Sequence, residues 1–251
     1  MSLVPAATGQ AAAVKPDTTG ADSLVIAGMA KLSTCDWPGK LVATVFLQGC
    51  PWRCGYCHNP DLIATRQAGT LAWRDVVTFL ERRTDLLDGI VLSGGEPTRQ
   101  AGLGAALSQA RELGFGTGLH TAGAYPRRLA EVLGLLDWVG LDIKALPTAY
   151  ATVTGVPGSD KRAYQSLRLV VGSGVDHEVR ITVDPLVHDG PGLEALVETV
   201  RQAGAKRIVL QEVRAEGTRP DYAAALAGRR LSDVIGSLPE WPDGVAVRAE
   251  S

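Results

Sequence analysis

Short apolar runs and longer amphipathic stretches alternate along most of this chain. Leu41–Leu47, apolar but for Thr44, is a run of the kind found in strands buried on both faces. Asp88–Ser93, Gly116–Thr121, Trp138–Ile143, Glu178–Val183, Arg207–Leu210 and Val245–Arg248 read as further strands. Between them, Trp73–Arg83 sets Val76, Val77 and Leu80 at helical spacing, and Gln100–Leu113 reads as a helix closed by Gly114. Pro126–Leu133, Lys161–Val171 and Leu193–Ala203 are the remaining helices.

Repeated strand–helix units predict an α/β fold, with parallel strands and helices on one outer face. Right-handed crossovers curl such a sheet into a full or partial barrel. A doubly wound open sheet is the alternative, disfavoured because no Gly-rich dinucleotide turn follows the first strand. In a barrel of this kind the chemistry belongs at the C-terminal rim of the strands.

The 251 residues are 45% hydrophobic and 21% charged, enough for one full core. A formal charge of −2 gives no electrostatic case for nucleic acid or an anionic membrane. No apolar run approaches the ~18 residues of a spanning helix. Met1–Ala21, rich in Ala, Thr, Gly and Pro, lacks a basic start and an apolar core. It is expected to be a flexible tail, leaving 22–251 as the folded domain, and the expected compartment is the cytoplasm.

Chemistry concentrates in Cys50-Pro-Trp-Arg-Cys54-Gly-Tyr-Cys57, followed by His58-Asn59-Pro60. Three thiolates on one short loop can hold three corners of a [4Fe–4S] cluster and leave the fourth iron open, whereas ordinary electron-transfer clusters take four cysteines. A structural zinc site is the competing reading, but it wants four closed ligands, and His58 directly follows Cys57. Disulfides are disfavoured by the clustering. Ser93-Gly94-Gly95-Glu96-Pro97-Thr98 follows a strand; its glycines permit close approach to the backbone, and Glu96 could receive an ammonium group. An ordinary strand-to-helix turn would explain the same glycines.

Together these motifs resemble the radical S-adenosylmethionine superfamily. Ser33-Thr-Cys-Asp36-Trp37-Pro38-Gly39-Lys40, Gln48-Gly49-Cys50 and Cys57-His58-Asn59-Pro60 narrow the likeness to the glycyl-radical-enzyme activases, most nearly those of anaerobic ribonucleoside-triphosphate reductase. The resemblance implies a partial (β/α)6-type TIM barrel. It implies that Cys50, Cys54 and Cys57 ligate a [4Fe–4S] cluster whose open iron is chelated by S-adenosylmethionine. Tyr56 would lie near the adenine, and Gly94, Gly95 and Glu96 would receive the methionine ammonium. An electron from a low-potential donor such as flavodoxin or ferredoxin would break the sulfonium, and the resulting 5′-deoxyadenosyl radical would take a hydrogen from a glycine loop of the partner enzyme.

Leu141-Asp142-Ile143-Lys144 resembles the Asp-x-Lys element of pyruvate formate-lyase activase. Lys144 would meet the cofactor carboxylate and Asp142 its ribose or a cation; a rim ion pair is the plainer reading. Arg180 matches a family arginine that reaches the same carboxylate. His120-Thr121-Ala122-Gly123 stands where that activase has Asp-Thr-Asn-Gly, which favours a ribonucleotide reductase as partner. His120 is read as a contact to the nucleoside or as a rim hydrogen bond. His177 and His188 are expected at the surface or in loops, and Cys35 as a small buried filler. A small-molecule enzyme such as a 7-carboxy-7-deazaguanine synthase, a pyruvate formate-lyase activase and a non-catalytic iron–sulfur carrier are the alternatives.

Overall fold

The computed structural model describes residues 20–236 and 241–248. The expected tail lies outside the described residues as far as residue 19. Ala21, by contrast, opens a 3-10 turn over Ala21–Ser23 and packs against the core.

Strand β1 (Ile26–Ser33) pairs antiparallel with β2 (Val42–Leu47). The chain then runs α1 (Trp73–Glu81), β3 (Gly89–Gly94), α2 (Leu103–Glu112), β4 (Gly116–Thr121), α3 (Pro126–Val132), β5 (Trp138–Asp142), α4 (Pro147–Thr154) and α5 (Ser159–Ser173). It continues through β6 (Asp176–Val183), α6 (Gly190–Gln202), β7 (Ile208–Glu212), α7 (Pro220–Leu226) and α8 (Leu231–Ile235) to β8 (Val245–Arg248). One sheet carries the strands in chain order, every pair from β2 onward parallel, with β1 and β8 at its two edges. The result is a partial barrel, open rather than closed.

The seven expected strands are present, with ends moved by a residue or two. β1 is the strand the pattern concealed. As an edge strand it mixes small and polar residues (Gly28, Ala30, Lys31), and only Ile26 and Ser33 are buried. Helix α4 was equally hidden, since three threonines in eight residues give poor helical propensity. A proline in its first turn and Gly155 at φ +66° mark its ends.

Strand alternation sorts the residues to two sides. Ala43, Val45 and Leu47, Ile90 and Leu92, Val139 and Leu141, and Val179 and Ile181 join the helices in one large core. The opposite parity faces the barrel interior. There Val42, Val91 and Trp138 form a separate cluster with Trp37, which the β1–β2 hairpin folds in to stack on Trp138 at 5.8 Å between ring centroids. The apolar floor made by these residues leaves the polar inward residues nearer the C-terminal rim to form the site.

Candidate active site

The cysteine loop leaves β2 at its C-terminal end and is held by backbone and amide bonds. Gly49 N–H donates to Leu62 O (2.8 Å), Arg53 N–H to Thr154 O (2.9 Å), and the Gln48 amide to Asp61 O (2.9 Å) and Ala64 O (2.8 Å). Gly94 and Gly95 let the end of β3 butt against this loop. Gly94 has φ +118° and its backbone touches Leu47, while a Cβ on Gly95 would stand 2.6 Å from Gly49 O.

These elements enclose a cavity of about 310 Å³. Its wall contains Cys50, Cys54, Cys57, Tyr56, Gly94, Gly95, His120, Asp142, Lys144 and Arg180, gathered from the ends of β2 to β6. Asp142 and Arg180 are register partners on β5 and β6, and Arg180 Nε donates to Asp142 Oδ1 at 3.1 Å. Lys144 Nζ lies 3.4 Å from Asp142 Oδ2 and 5.4 Å from the centre of the Tyr56 ring. Burial works against an Asp142 anion, but the charges of Arg180 and Lys144 outweigh it and hold its pKa below the usual range. Burial also opposes the Lys144 ammonium, yet Tyr56 and Asp142 hold its pKa above the usual lysine range.

Glu96 stands apart from the other expected residues. It is buried and absent from the cavity wall. Its Oε1 accepts from Thr98 N–H (3.1 Å), the Thr98 hydroxyl (2.5 Å) and the Thr121 hydroxyl (2.7 Å), and its Oε2 from Ala122 N–H (2.9 Å). The carboxylate ties the end of β3 to the end of β4. The backbone of Gly94 and Gly95 is what borders the cavity. Burial raises the Glu96 pKa, and the Thr98 and Thr121 hydroxyls pull against that rise.

His120 is a strut with both ring nitrogens engaged. Nε2 donates to Asp36 O at 2.7 Å, so Nδ1 accepts from the Ser93 hydroxyl at 3.3 Å. Burial and the Arg180 charge lower its pKa to about 3, which keeps the ring neutral. His177 is half-buried on β6, with Nδ1 donating to Val175 O. One expectation is corrected. Cys35 is exposed on the β1–β2 hairpin rather than a buried filler, because the hairpin turns Trp37 inward instead. His188 lies in a loop, as expected, but is buried there, because its ring turns back toward the end of β5.

The wall also contains residues to which the sequence assigned no role of their own, among them Asp36, Trp52, Ser93, Thr182 and Gln211. Thr182 and Gln211 share the inward parity of Arg180 and Val209, a signal present in the alternation. Trp52 Nε1 and Tyr56 Oη are buried without a hydrogen-bond partner among the described residues.

The donor set fits an iron–sulfur cluster. Burial pushes the Cys50 thiol up to about 12, and Cys54 is raised for the same reason. Such thiols ionise as ligands only beside a positive centre, which cluster iron supplies. Among the described residues no three His, Cys, Asp or Glu side chains form a single-ion site.

Residues 44–203 match the Radical SAM superfamily, and the chain belongs to it. Membership brings a [4Fe–4S] cluster and S-adenosylmethionine, and makes the protein a radical SAM enzyme. A Methanocaldococcus jannaschii protein bearing the name of a glycyl-radical enzyme activating enzyme is 30% identical over 70% of this chain and 75% of its own length. The pyruvate formate-lyase-activating enzyme of Clostridium pasteurianum is 34% identical over 61% of this chain, and its Escherichia coli K12 counterpart 31%. The matches span 66% and 64% of those two relatives. SuiB of Streptococcus suis, solved with S-adenosylmethionine bound, shares the fold over 80% of this chain and 48% of its own, at TM-score 0.58 and 16% identity. No described helix is long and apolar enough to cross a membrane.

Proposed function

We propose that this enzyme is an activase that generates a glycyl radical on a partner enzyme. The observation that carries the reading is a single cavity bringing Cys50, Cys54 and Cys57 together with the cationic pair Lys144 and Arg180. When bound, the cluster and S-adenosylmethionine would supply one-electron reductive cleavage of the sulfonium–C5′ bond, giving methionine and a 5′-deoxyadenosyl radical able to take a hydrogen atom from the glycine Cα.

The chain's own residues bind and orient. Cys50, Cys54 and Cys57 would hold the cluster, three thiolates being one fewer than an electron-transfer cluster takes. Lys144 and Arg180, fixed by Asp142, present two cations to the methionine carboxylate. The backbone beside Gly94 and Gly95 receives the ammonium group, and the Tyr56 ring stands where the nucleoside enters. His120, neutral and doubly hydrogen-bonded, shapes the floor rather than exchanging a proton. The electron comes from a low-potential donor such as flavodoxin or ferredoxin.

The open sheet supports a protein substrate, because β1 and β8 are edges and leave one side of the interior approachable by a loop. Anaerobic ribonucleoside-triphosphate reductase is the first partner reading, carried by His120 and Ala122 at the end of β4, where pyruvate formate-lyase activase has Asp and Asn. Pyruvate formate-lyase is the second, favoured by the names of the Clostridium and Escherichia relatives. The test is to mix reduced, cluster-loaded protein with S-adenosylmethionine and each partner in turn, then record the electron paramagnetic resonance spectrum. A glycyl signal on one partner supports the activase and selects between the two. Cofactor cleavage with no glycyl signal on either would defeat the substrate assignment.

A further inference from the structure

Lys144 lies just past the last rung of the β5 ladder. The final sheet bond there runs from Ile143 N–H to Arg180 O at 2.9 Å, so the Lys144 peptide groups have no strand to pair with. Two side chains take over that task. Lys144 N–H donates to the Tyr150 hydroxyl at 3.3 Å, and Lys144 O lies 3.1 Å from His188 Nε2. Tyr150 is fully buried on α4, and His188 is buried in the loop between β6 and α6.

The loop that carries His188 is closed on itself. Val187 and His188 N–H both donate to Asp184 O, at 2.9 and 2.8 Å, and Leu186 N–H donates to Asp184 Oδ1 at 2.9 Å. Asp184 N–H in turn meets His188 Nδ1 at 2.9 Å. A backbone amide can only donate, so Nδ1 is the bare acceptor and Nε2 carries the hydrogen. The ring is therefore the neutral Nε2–H tautomer, aimed at the Lys144 carbonyl from a rigid base. A buried carbonyl without its donor carries a desolvation penalty, so the arrangement also selects one orientation of the Lys144 peptide.

We propose that His188 is a positioning residue for S-adenosylmethionine binding: its Nε2–H fixes the Lys144 backbone and thereby sets where the Lys144 ammonium stands in the cavity. This rests on the reading above that Lys144 meets the cofactor carboxylate. His188 does not line the cavity and acts only through Lys144.

Glutamine places its amide donor near the Nε2 position, whereas asparagine reaches only the Nδ1 position. The cofactor dissociation constant is measured calorimetrically on cluster-loaded protein, alone and in a Lys144→Ala background. His188→Asn is expected to weaken binding about tenfold, while His188→Gln stays within about threefold of wild type. In the Lys144→Ala background, His188→Asn should add nothing further, since the group it positions is gone. Equal losses in His188→Asn and His188→Gln, or losses additive with Lys144→Ala, would overturn the inference while leaving the Lys144 reading intact. Unchanged affinity in Lys144→Ala alone would overturn both. Nitrogen NMR of histidine-labelled wild-type apoprotein requires no variant to fold: it should show His188 as the Nε2–H tautomer, and an Nδ1–H tautomer would refute the geometry.

Discussion

The Arg180 guanidinium lies over the bare Cα of Gly140, where an added Cβ would stand 2.8 Å from Cζ and 3.0 Å from Nη2. Glycine at this inward position of β5 lets the β6 arginine lie flat, donate to Gly140 O at 3.2 Å and reach Asp142 at 3.1 Å. Gly140→Ala should push the guanidinium off Asp142 and weaken S-adenosylmethionine binding by about tenfold, some 1.4 kcal/mol. Calorimetric titration of the cluster-loaded variant checks this. Wild-type affinity would show that Arg180 does not serve the cofactor from this position.

Glu96 accepts four hydrogen bonds and does not line the cavity. Glu96→Gln replaces one acceptor oxygen with a donor, leaving either Ala122 N–H or the Thr98 and Thr121 donors facing an N–H group. A loss of about 1–3 kcal/mol in stability is expected, read by thermal unfolding of the apoprotein. Unchanged stability with impaired cofactor binding would instead return Glu96 to the role its motif suggests.

His120 is expected to steepen the acid side of the stability curve. Its folded pKa of about 3 lies below the ordinary 6.5, so between those values the unfolded chain binds the extra proton. Stability therefore falls as pH drops from 6.5 toward 3, by at most about 1.4 kcal/mol per pH unit from this residue. Asp142 adds to the same trend from below the ordinary aspartate range, since its depressed pKa makes its stabilising charge disappear as it protonates. Denaturant unfolding as a function of pH should show a shallower acid limb in His120→Gln than in wild type; parallel curves would mean that the ring is charged in the folded state.

Trp37 and Trp138 close the floor of the barrel, and Trp37 is only 8% exposed although it comes from a hairpin. Trp37→Ala should cost about 3–5 kcal/mol, since the surrounding strands cannot collapse into the space it leaves. Urea unfolding measures this directly, and a loss below ~1 kcal/mol would show that the hairpin is a loose appendage rather than part of the core.

β2, β3 and β5 were legible because each is buried along most of its length and reads as a mainly apolar run. β1 was not, because an edge strand needs no such run. The cysteines, Gly94, Gly95, Asp142, Lys144 and Arg180 were legible as motifs at strand ends, and the fold brings them to one cavity. His120, Asp142 and Arg180 also share the inward parity of their strands, which makes their meeting a consequence of register. What stayed hidden depends on contacts across long separations. Nothing near Glu96 in the chain announces that Thr121 and Ala122 would occupy its oxygens. Nothing near His188 points to a carbonyl 44 residues away. Cys35 and Trp37 lie two residues apart, and only the turn of the hairpin decides which of them enters the core.

The most direct test is anaerobic reconstitution with iron and sulfide, then quantification of 5′-deoxyadenosine formed from S-adenosylmethionine under a strong reductant. Wild-type protein should show a [4Fe–4S] spectrum and release the nucleoside, and Cys54→Ala should lose both, having only two anchors left. Nucleoside release from Cys54→Ala at the wild-type rate, or a wild-type protein that carries a cluster and cleaves nothing, would contradict the account.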